Sequence, residues 1–314
     1  MSGGFGFWHW GASAVDTPGP LPEARAVVVP RGGGAQIADV LASDGVIRES
    51  RVFLAAALLT RSEGPLRAGE FAFPAHASVR QVLAILRFGR PVEHHLTIAE
   101  GLTTQQIQAV LAHGDGLIGE VPAFAEGSVL PQTYDYERGA ERAVVVERAK
   151  AAMDRELAAL WADRLPGLPL ASPRDALILA SIVERETAKP EERPHVAAVY
   201  LNRLRLGMRL QADPTVVYAA SGGAGVLDHR LTRSELDRDN PFNTYRSAGL
   251  PPAPICSPGL ESLRAVLHPA ASEDLYFVAD GSGGHVFSRG YEAHDNAVAR
   301  WRALVPSAPH GSPD

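Results

Sequence analysis

The sequence is poor in cysteine: its 314 residues include one, Cys256. A single cysteine cannot form an intrachain disulfide or a cysteine-based metal site. Its surroundings, Ala-Pro-Ile-Cys-Ser, favour a small apolar side chain that fills space within a loop. Disulfide-stabilised folds and cysteine-ligated metal sites are therefore excluded.

Dense runs of positive charge are also missing. The formal net charge is −6 and the isoelectric point is near 6.0. Nucleic-acid-binding proteins usually carry a basic patch, so no nucleic acid is expected as a partner. The chain is 46% hydrophobic and 21% charged, a composition typical of a folded protein with a sizeable core. Global disorder is thereby excluded.

The N-terminal segment lacks the usual marks of a membrane span or a signal peptide. It falls short of the run of about 20 apolar residues that crosses a bilayer, and it has no charged start followed by an apolar stretch. It is aromatic instead, with Phe5, Phe7, Trp8 and Trp10 ahead of a Pro/Gly-rich linker over residues 11–24. Aromatic residues concentrate at membrane interfaces. Residues 1–24 are therefore interpreted either as the end of a truncated membrane anchor with its linker, or as an unstructured aromatic terminus.

Hydrophobic periodicity predicts a small α+β region after this segment. A β-branched strand at 26–29 is followed by helices at 35–41 and 50–59 and by an alternating strand at 66–73. This strand–helix–helix–strand order is that of a LysM-like glycan-binding module, and a generic small α+β unit has the same pattern.

The predicted fold class is α+β, with a small LysM-like βααβ region followed by a larger mixed α+β domain. The LysM-like domain is assigned to residues 25–95 and the larger domain to residues 96–304. The Pro/Ser/Gly-rich tail over residues 305–314 is predicted to be disordered.

A strong helix is predicted over residues 175–188, with Ser172 or Pro173 at its start and Pro190 forcing its end. It is apolar nearly all round until its last turn, which predicts a central, buried helix. Glu184 and Glu186 lie in that last turn. At about 100° per residue they point to nearly opposite sides, so they cannot form a paired-carboxylate site with each other.

Glu186 is the better candidate for a catalytic acid, because it continues the bulky apolar face of Leu179, Ile182 and Val183. Glu184 continues a smaller face that can pack close to a neighbour. A carboxyl group against apolar surface is disfavoured in its charged form, and that makes a general acid usable near neutral pH. The partial negative charge of the helix C-terminus acts in the same direction.

The alternative for Glu186 is a structural ion pair to Arg193 or Arg203. Three polar loops favour the catalytic interpretation: residues 210–218, 240–245 and 249–255. They carry amides, hydroxyls and aromatic rings on stiff, Pro-containing backbone, which suits the hydroxyl edges and CH face of a pyranose.

Several motifs resemble those of the endolytic murein transglycosylases, the YceG-like family. They are residues 180–188 (ASIVERETA), 202–204 (NRL), 210–215 (LQADPT), 243–245 (NTY), 249–252 (GLPP), 275–278 (LYFV) and 284–288 (GHVFS). The resemblance runs in order from about Val27 to Trp301. Residues 130–134 (LPQTY) are similar to the family's Leu-Pro-Asp-Thr-Tyr element, with Gln132 in place of Asp. That departure argues against an essential carboxylate there.

The resemblance implies a bitopic protein of the bacterial inner membrane, with a periplasmic LysM-like region and a catalytic domain. The implied activity is cleavage of the β-1,4 bond between N-acetylmuramic acid and N-acetylglucosamine in nascent peptidoglycan strands. It leaves 1,6-anhydro ends, terminates glycan elongation, takes place beside the peptidoglycan synthases and needs no cofactor. The catalytic glutamate corresponds to Glu186. Motif position also implies six substrate-binding residues: Gln211, Asp213, Thr215, Tyr218, Asn243 and Tyr245.

Two alternatives to this activity stay open. A hydrolytic muramidase needs a second carboxylate, for which Asp213 is the best candidate. A non-catalytic peptidoglycan-binding scaffold would keep the cleft without the chemistry. A metal site is not predicted, because the candidate histidines lack the close spacing of a helical zinc motif; they are His195, His229, His268, His285 and His294.

Overall fold

Two compact units make up the part of the chain that the computed structural model describes, residues 14–304. Unit 1 is the chain up to Leu96, with Asp115–Ile118 and Asp135–Glu141. Unit 2 is Thr97–Gly114, Gly119–Tyr134 and the chain from Arg142 onward. The sequence predicts one division near residue 95. In the structure, two short segments beyond that point also belong to unit 1. The aromatic start and the tail over residues 305–314 lie outside the described residues.

Unit 1 contains a two-stranded antiparallel sheet and the helices that cover it. Val27 pairs with Phe71, and Val27, Val29, Phe71 and Phe73 are all buried, as expected for a sheet with one face on the core. The predicted strand–helix–helix–strand order is present, while its assignment as a LysM-like module stays a prediction. The elements are β1 (Arg25–Val29), α1 (Gly34–Ser43), α2 (Ser50–Leu59), a 3₁₀ turn (Arg61–Glu63), β2 (Gly69–Phe73) and α3 (Val79–Phe88).

Residues 14–24, predicted to be part of a linker, pack as part of unit 1. Leu21 is buried, the Gly19 N–H donates to the carbonyl of His76 at 3.1 Å, and the His76 N–H donates to the carbonyl of Leu21 at 2.8 Å. A side chain at Gly19 would place its Cβ 2.3 Å from the carbonyl oxygen of Ala77. Glycine is therefore required here by a close backbone approach, and composition alone cannot distinguish that need from flexibility.

Unit 2 is built mainly from helices. Together with the small antiparallel sheets, they confirm the predicted α+β class. Among residues 14–304, no helix is both long and apolar enough to cross a membrane. Strands β3 (Glu93–Thr97) and β4 (Thr133–Glu137) pair in a second two-stranded sheet, most of whose residues, Glu93–Leu96 and Asp135–Glu137, belong to unit 1. The elements that follow are α4 (Thr104–Ala112), α5 (Arg142–Ala162), α6 (Pro173–Glu186), a 3₁₀ turn (Pro190–Glu192), α7 (Arg193–Arg205), α8 (Asp213–Ala220), α9 (Arg233–Asp237), α10 (Leu260–Leu267), the antiparallel pair β5 (Tyr276–Ala279) and β6 (His285–Ser288), and α11 (Tyr291–Leu304).

Helix α6 is the central helix of unit 2. Its start has the predicted signals, because the Ser172 hydroxyl accepts the N–H of Asp175 at 3.2 Å and a proline opens the first turn. Every residue from Ala176 to Val183 except Leu177 is buried, and the helix packs against α5, α7, α8 and α10. The helix ends at Glu186 because the next residue is extended. This buried helix thus ends in an acid.

The face of α6 that carries Ser181 lies against the loop before α10. The Ile255 N–H donates to the Ser181 hydroxyl at 3.0 Å, and the Cys256 thiol donates to the Ser181 carbonyl at 3.3 Å. Burial raises the pKa of the Cys256 thiol well above its usual range, so the thiol stays neutral. Cys256 fills space within a loop, as its sequence context predicts.

Candidate active site

Glu184 and Glu186 leave the last turn of α6 into different surroundings. The Glu184 side chain is 5% exposed, and its carboxyl lies 3.3 Å from the guanidinium of Arg193. Its other oxygen accepts the backbone N–H of Gly259 at 2.9 Å. These contacts hold the end of α6 to the starts of α7 and α10. Glu184 is therefore engaged in structural contacts.

The Glu186 carboxyl is enclosed and makes no ion pair with the described residues. The residue as a whole is half-buried, but its Oε2 atom is shielded from solvent and accepts no hydrogen bond from the described residues. Burial raises the pKa of Glu186 to about 8, and the negative charge of Asp213 acts in the same direction. A carboxyl group with that pKa is mostly protonated at neutral pH, which is the form a general acid needs.

Arg203 acts on Glu186 through its charge and not through an ion pair. Its guanidinium donates to the backbone carbonyls of Leu275 at 2.6 Å and Leu210 at 2.7 Å. The ion pair that the sequence allowed for Glu186 is thus absent among the described contacts: Arg193 pairs with Glu184, and Arg203 is held by carbonyls. The charge of Arg203 still favours ionised Glu186.

Tyr200 brings a phenol to the same carboxyl from α7. The residue is 1% exposed, and its ring meets the ring of Phe277 edge-on at 5.7 Å between centroids. Burial and the charge of Glu186 raise the pKa of Tyr200 well above its usual range, so the hydroxyl keeps its proton. The hydroxyl of Tyr200 in turn favours the ionised form of Glu186.

Asp213 and Tyr245 form the polar side of this cluster. The Tyr245 hydroxyl donates to Asp213 Oδ1 at 2.6 Å, and burial together with that hydrogen bond raises the pKa of Tyr245. Asp213 is exposed, as is Gln211. Gln211 adopts a positive φ of 51°, a conformation that costs a non-glycine residue about 1 kcal/mol. The chain thus bends sharply just before the carboxylate that faces solvent.

Thr215 and Asn243 build the loop and do not face solvent. The buried Thr215 hydroxyl bonds to the Ala212 carbonyl at 2.7 Å and to the Thr244 hydroxyl at 2.9 Å. The Asn243 side chain is 1% exposed. Its amide N–H groups donate to the Arg238 carbonyl at 2.8 Å and to neighbouring carbonyls, while its oxygen accepts the Tyr245 N–H at 3.0 Å. Both side chains are thus saturated by internal hydrogen bonds.

Tyr218 lies in a different environment from Glu186. Its hydroxyl donates to Glu126 Oε2 at 3.1 Å, and its ring lies 5.0 Å from that of Phe242. Burial and the charge of Glu126 raise the pKa of Tyr218. Glu126 also accepts the N–H of Thr104 at 2.8 Å, so this tyrosine ties α8 to the first turn of α4. The sequence motifs did not indicate the part played by Glu126.

The histidines considered as metal ligands are engaged elsewhere. His195 lies 2.7 Å from Asp274, His285 2.6 Å from Glu192, His229 3.0 Å from Glu235 and His268 3.4 Å from Asp163. His294 stacks on the ring of Tyr276 at 5.1 Å. Within residues 14–304 no group of three or more histidine, cysteine and acidic side chains is placed to hold a metal ion.

The structure therefore brings five side chains together in unit 2. Glu186, Asp213 and Tyr245 were candidates from the sequence. Arg203 was considered only as an ion-pair partner of Glu186, and Tyr200 was not predicted. The sequence signal for these two is faint: Tyr200 and Arg203 are three residues apart on α7 and share its buried face. The spacing of apolar residues predicts that this face of α7 is buried, but it does not show which acidic side chain the face contacts.

Comparison with known proteins gives a consistent result. The model of the YceG-like family matches residues 27–300. An endolytic murein transglycosylase of Bacillus subtilis (strain 168) is 39% identical over 125 residues, which are 40% of this chain and 34% of that protein. One from Streptococcus pneumoniae (strain R6) is 27% identical across 87% of this chain and 57% of that protein. The chain thus spans between a third and somewhat over half of the length of these relatives.

A solved structure agrees at the level of the fold. The crystal structure of a YceG-like protein from Listeria monocytogenes matches with a TM-score of 0.54 and 27% identity, covering 88% of this chain and 99% of that one. The family model spans almost the entire described chain, including α6 and the five side chains grouped around Glu186. This chain therefore belongs to the YceG-like family.

Proposed function

We propose that this chain is an endolytic lytic transglycosylase that cleaves the β-1,4 bond between N-acetylmuramic acid and N-acetylglucosamine in nascent peptidoglycan strands. The observation that carries the proposal is the enclosed Glu186 carboxyl, with its pKa raised to about 8 by burial and with no ion-pair partner among residues 14–304. The names of the relatives, endolytic murein transglycosylases, supply the substrate class and the reaction.

The first half of the proposed reaction uses Glu186 as an acid. Its carboxyl proton passes to the glycosidic oxygen as the bond from that oxygen to C1 of N-acetylmuramic acid breaks. C1 then carries oxocarbenium character, and Glu186 becomes a carboxylate. The positive charge of Arg203 stabilises that carboxylate, and the negative charge of the neighbouring Asp213 is proposed to stabilise the cation.

The second half uses the same residue as a base. The Glu186 carboxylate takes the proton of the 6-hydroxyl of N-acetylmuramic acid while that oxygen bonds to C1. The product is a 1,6-anhydro ring, the acid form of Glu186 is restored, and no water is consumed. One acid is sufficient because the substrate provides its own nucleophile, whereas hydrolysis requires a second carboxylate to activate water or to attack C1.

The predicted substrate-binding residues divide by their contacts. Exposed Gln211 and Asp213, and Tyr245 bonded to Asp213, are proposed to contact the glycan. Thr215 and Asn243 are proposed to act indirectly by holding the loops that carry them. Tyr218, bonded to Glu126, is proposed as a wall residue farther from the reacting bond.

The proposed substrate places the protein in the bacterial cell envelope. An N-terminal anchor in the inner membrane, a catalytic domain in the periplasm, a glycan-binding role for a LysM-like region and work beside the peptidoglycan synthases are proposed from the family resemblance. Termination of glycan elongation would follow if cleavage occurs within nascent strands.

Product analysis tests the reaction directly. With purified glycan strands, we expect fragments that end in 1,6-anhydro-N-acetylmuramic acid and that derive from strand interiors. Mass spectrometry separates them from hydrolytic fragments, which are heavier by about 18 Da, one water, per cut. Hydrolytic ends as the main product would contradict the transglycosylase assignment.

The carboxylate of Asp213 supports a second candidate function, that of a hydrolytic muramidase. Asp213 is near enough for its charge to raise the pKa of Glu186, and Tyr245 holds it in place at 2.6 Å. In that reaction Asp213 would activate water or attack C1.

The variant Asp213→Asn separates the two reactions. Under the transglycosylase proposal, anhydro products persist with turnover lowered by about tenfold. The alkaline limb of the pH–rate profile moves to lower pH, because removal of the negative charge lowers the pKa of Glu186. If the enzyme is instead a hydrolytic muramidase, the wild type yields hydrolytic ends, and Asp213→Asn loses as much activity as a Glu186 variant.

A further inference from the structure

The hydroxyl of Tyr200 is a polar group that the fold itself does not use. Tyr200 is 1% exposed on α7, and its hydroxyl has no hydrogen-bond partner among the described residues. A phenylalanine would fill the same space against Phe277 without burying an unpaired O–H. Buried polar groups in proteins are almost always paired. The hydroxyl is therefore available to donate to a partner.

The Oε2 atom of Glu186 is an acceptor that lacks a donor. It is buried and accepts no hydrogen bond from the described chain. The two groups are neighbours, since Tyr200 and Glu186 each shift the pKa of the other through a side-chain hydrogen-bond interaction, although neither atom has a partner of strict hydrogen-bond geometry among the described residues. One buried group has a proton to donate and the other has an oxygen to accept it.

Among the described residues, the other titratable donors that act on Glu186 are engaged elsewhere. Arg203 on α7 donates to backbone carbonyls, and the Tyr245 hydroxyl donates to Asp213 at the start of α8. Helices α5 and α10 pack apolar side chains against α6, among them Met153, Leu263 and Val266. The charged and titratable groups that act on Glu186 are thus Asp213, Tyr200, Arg203 and Tyr245.

We infer that Tyr200 is a positioning residue for Glu186, donating its O–H to Oε2 when the carboxylate forms and leaving Oε1 to exchange protons with the substrate. The inference rests on Glu186 being the acid of the proposed function. In the first step the proton leaves Oε1 for the glycosidic oxygen, and the new charge on Oε2 is met by the phenol. In the second step Oε1 takes the proton of the sugar 6-hydroxyl. Tyr200 keeps its own proton throughout.

The variant Tyr200→Phe tests this assignment, because it deletes one oxygen and keeps the ring. The carboxylate loses a donor, so Glu186 becomes a weaker acid. We expect kcat to fall about tenfold with KM little changed. We also expect the alkaline limb of the pH–rate profile to move up by about one unit, since a tenfold effect on ionisation equals one pKa unit. Titration of the Glu186 carboxyl by carbon NMR in labelled protein should show the same upward shift.

A matched control is Tyr134→Phe. Tyr134 is also a buried phenol of unit 2, and its hydroxyl donates to the Leu130 carbonyl at 2.7 Å. Its loss should leave kcat and the alkaline limb unchanged even if the melting temperature falls. The inference would be overturned if the Tyr200→Phe enzyme kept both the alkaline limb of the wild-type pH–rate profile and the wild-type pKa of the Glu186 carboxyl. Activity retained by Glu186→Gln would instead overturn the proposed function, so the two failures are distinguishable.

Discussion

Glu186→Gln should lower the turnover of glycan strands by about 10²–10⁴-fold, the usual effect of losing a general acid. The amide has nearly the same shape as the carboxylic acid, but it cannot give a proton to the glycosidic oxygen. The neighbouring Tyr200 cannot replace it as the acid, because burial raises the pKa of its phenol well above the usual range. Release of soluble fragments from purified strands gives the rate.

The matched control is Glu184→Gln, two residues earlier on the same helix. Glu184 contacts Arg193 and the Gly259 N–H, so its loss should lower stability more than it lowers turnover. Circular dichroism and thermal melting of both variants establish that each is folded. If Glu184→Gln were the inactive variant and Glu186→Gln the active one, the assignment of the acid would be wrong.

The same glutamate should make stability depend on pH. Its pKa is about 8 in the folded protein, against 4.5 for an ordinary glutamate. Between these values the folded state holds a proton that the unfolded state has released. The contribution of Glu186 to stability is therefore complete below pH 4.5 and declines as the pH rises to about 8, by at most about 1.4 kcal/mol per pH unit.

Glutamine has no such proton, so the Glu186→Gln variant should gain stability over the wild type as the pH rises from 5 to 8. Urea denaturation at the two pH values measures the difference. Identical pH dependence in the two proteins would show that the carboxyl is not protonated in the folded state.

Arg203→Met should be the most destabilising single substitution near the site, with a loss of about 3–5 kcal/mol in the free energy of unfolding. Arg203 is 7% exposed. Its guanidinium satisfies the carbonyls of Leu275 and Leu210, which methionine would leave buried without donors. At about 2–4 °C per kcal/mol for a domain of this size, the melting temperature should fall by roughly 6 °C or more.

Arg205→Met is the appropriate control, since Arg205 lies two residues away on the same helix. Arg205 is exposed and its guanidinium bonds to Asn202 at 2.9 Å, so its replacement should cost about 0.5 kcal/mol or less. Equal losses in the two variants would mean that the carbonyl contacts of Arg203 contribute little. Thermal melting and urea titration at neutral pH distinguish these outcomes.

Local signals explain which parts of the fold were predictable. Helix α6 was predicted at its start and close to its end, because a serine cap, a proline in the first turn and a buried apolar surface are all encoded in adjacent residues. Helix α8 was not predicted, and its first residues were assigned to the polar loop over residues 210–218, since its Asp-Pro start resembles a turn and its eight residues offer too little periodicity. The packing of residues 14–24 was missed because glycine at a close contact and glycine in a linker look alike in sequence.

What the sequence by itself determined is the family, the α+β class, and the choice of Glu186 over Glu184 as the candidate acid, since helical periodicity already assigns the two residues to opposite faces. What only the tertiary structure decided is the surroundings of that acid. Arg193 pairs with Glu184, Tyr200 and Arg203 reach Glu186 from α7, and Tyr245 bonds to Asp213 across 32 positions of the chain. The pKa of a carboxyl group depends on burial and on charges within a few ångströms. Those distances are set by the packing of helices and loops far apart in sequence, which no local pattern encodes.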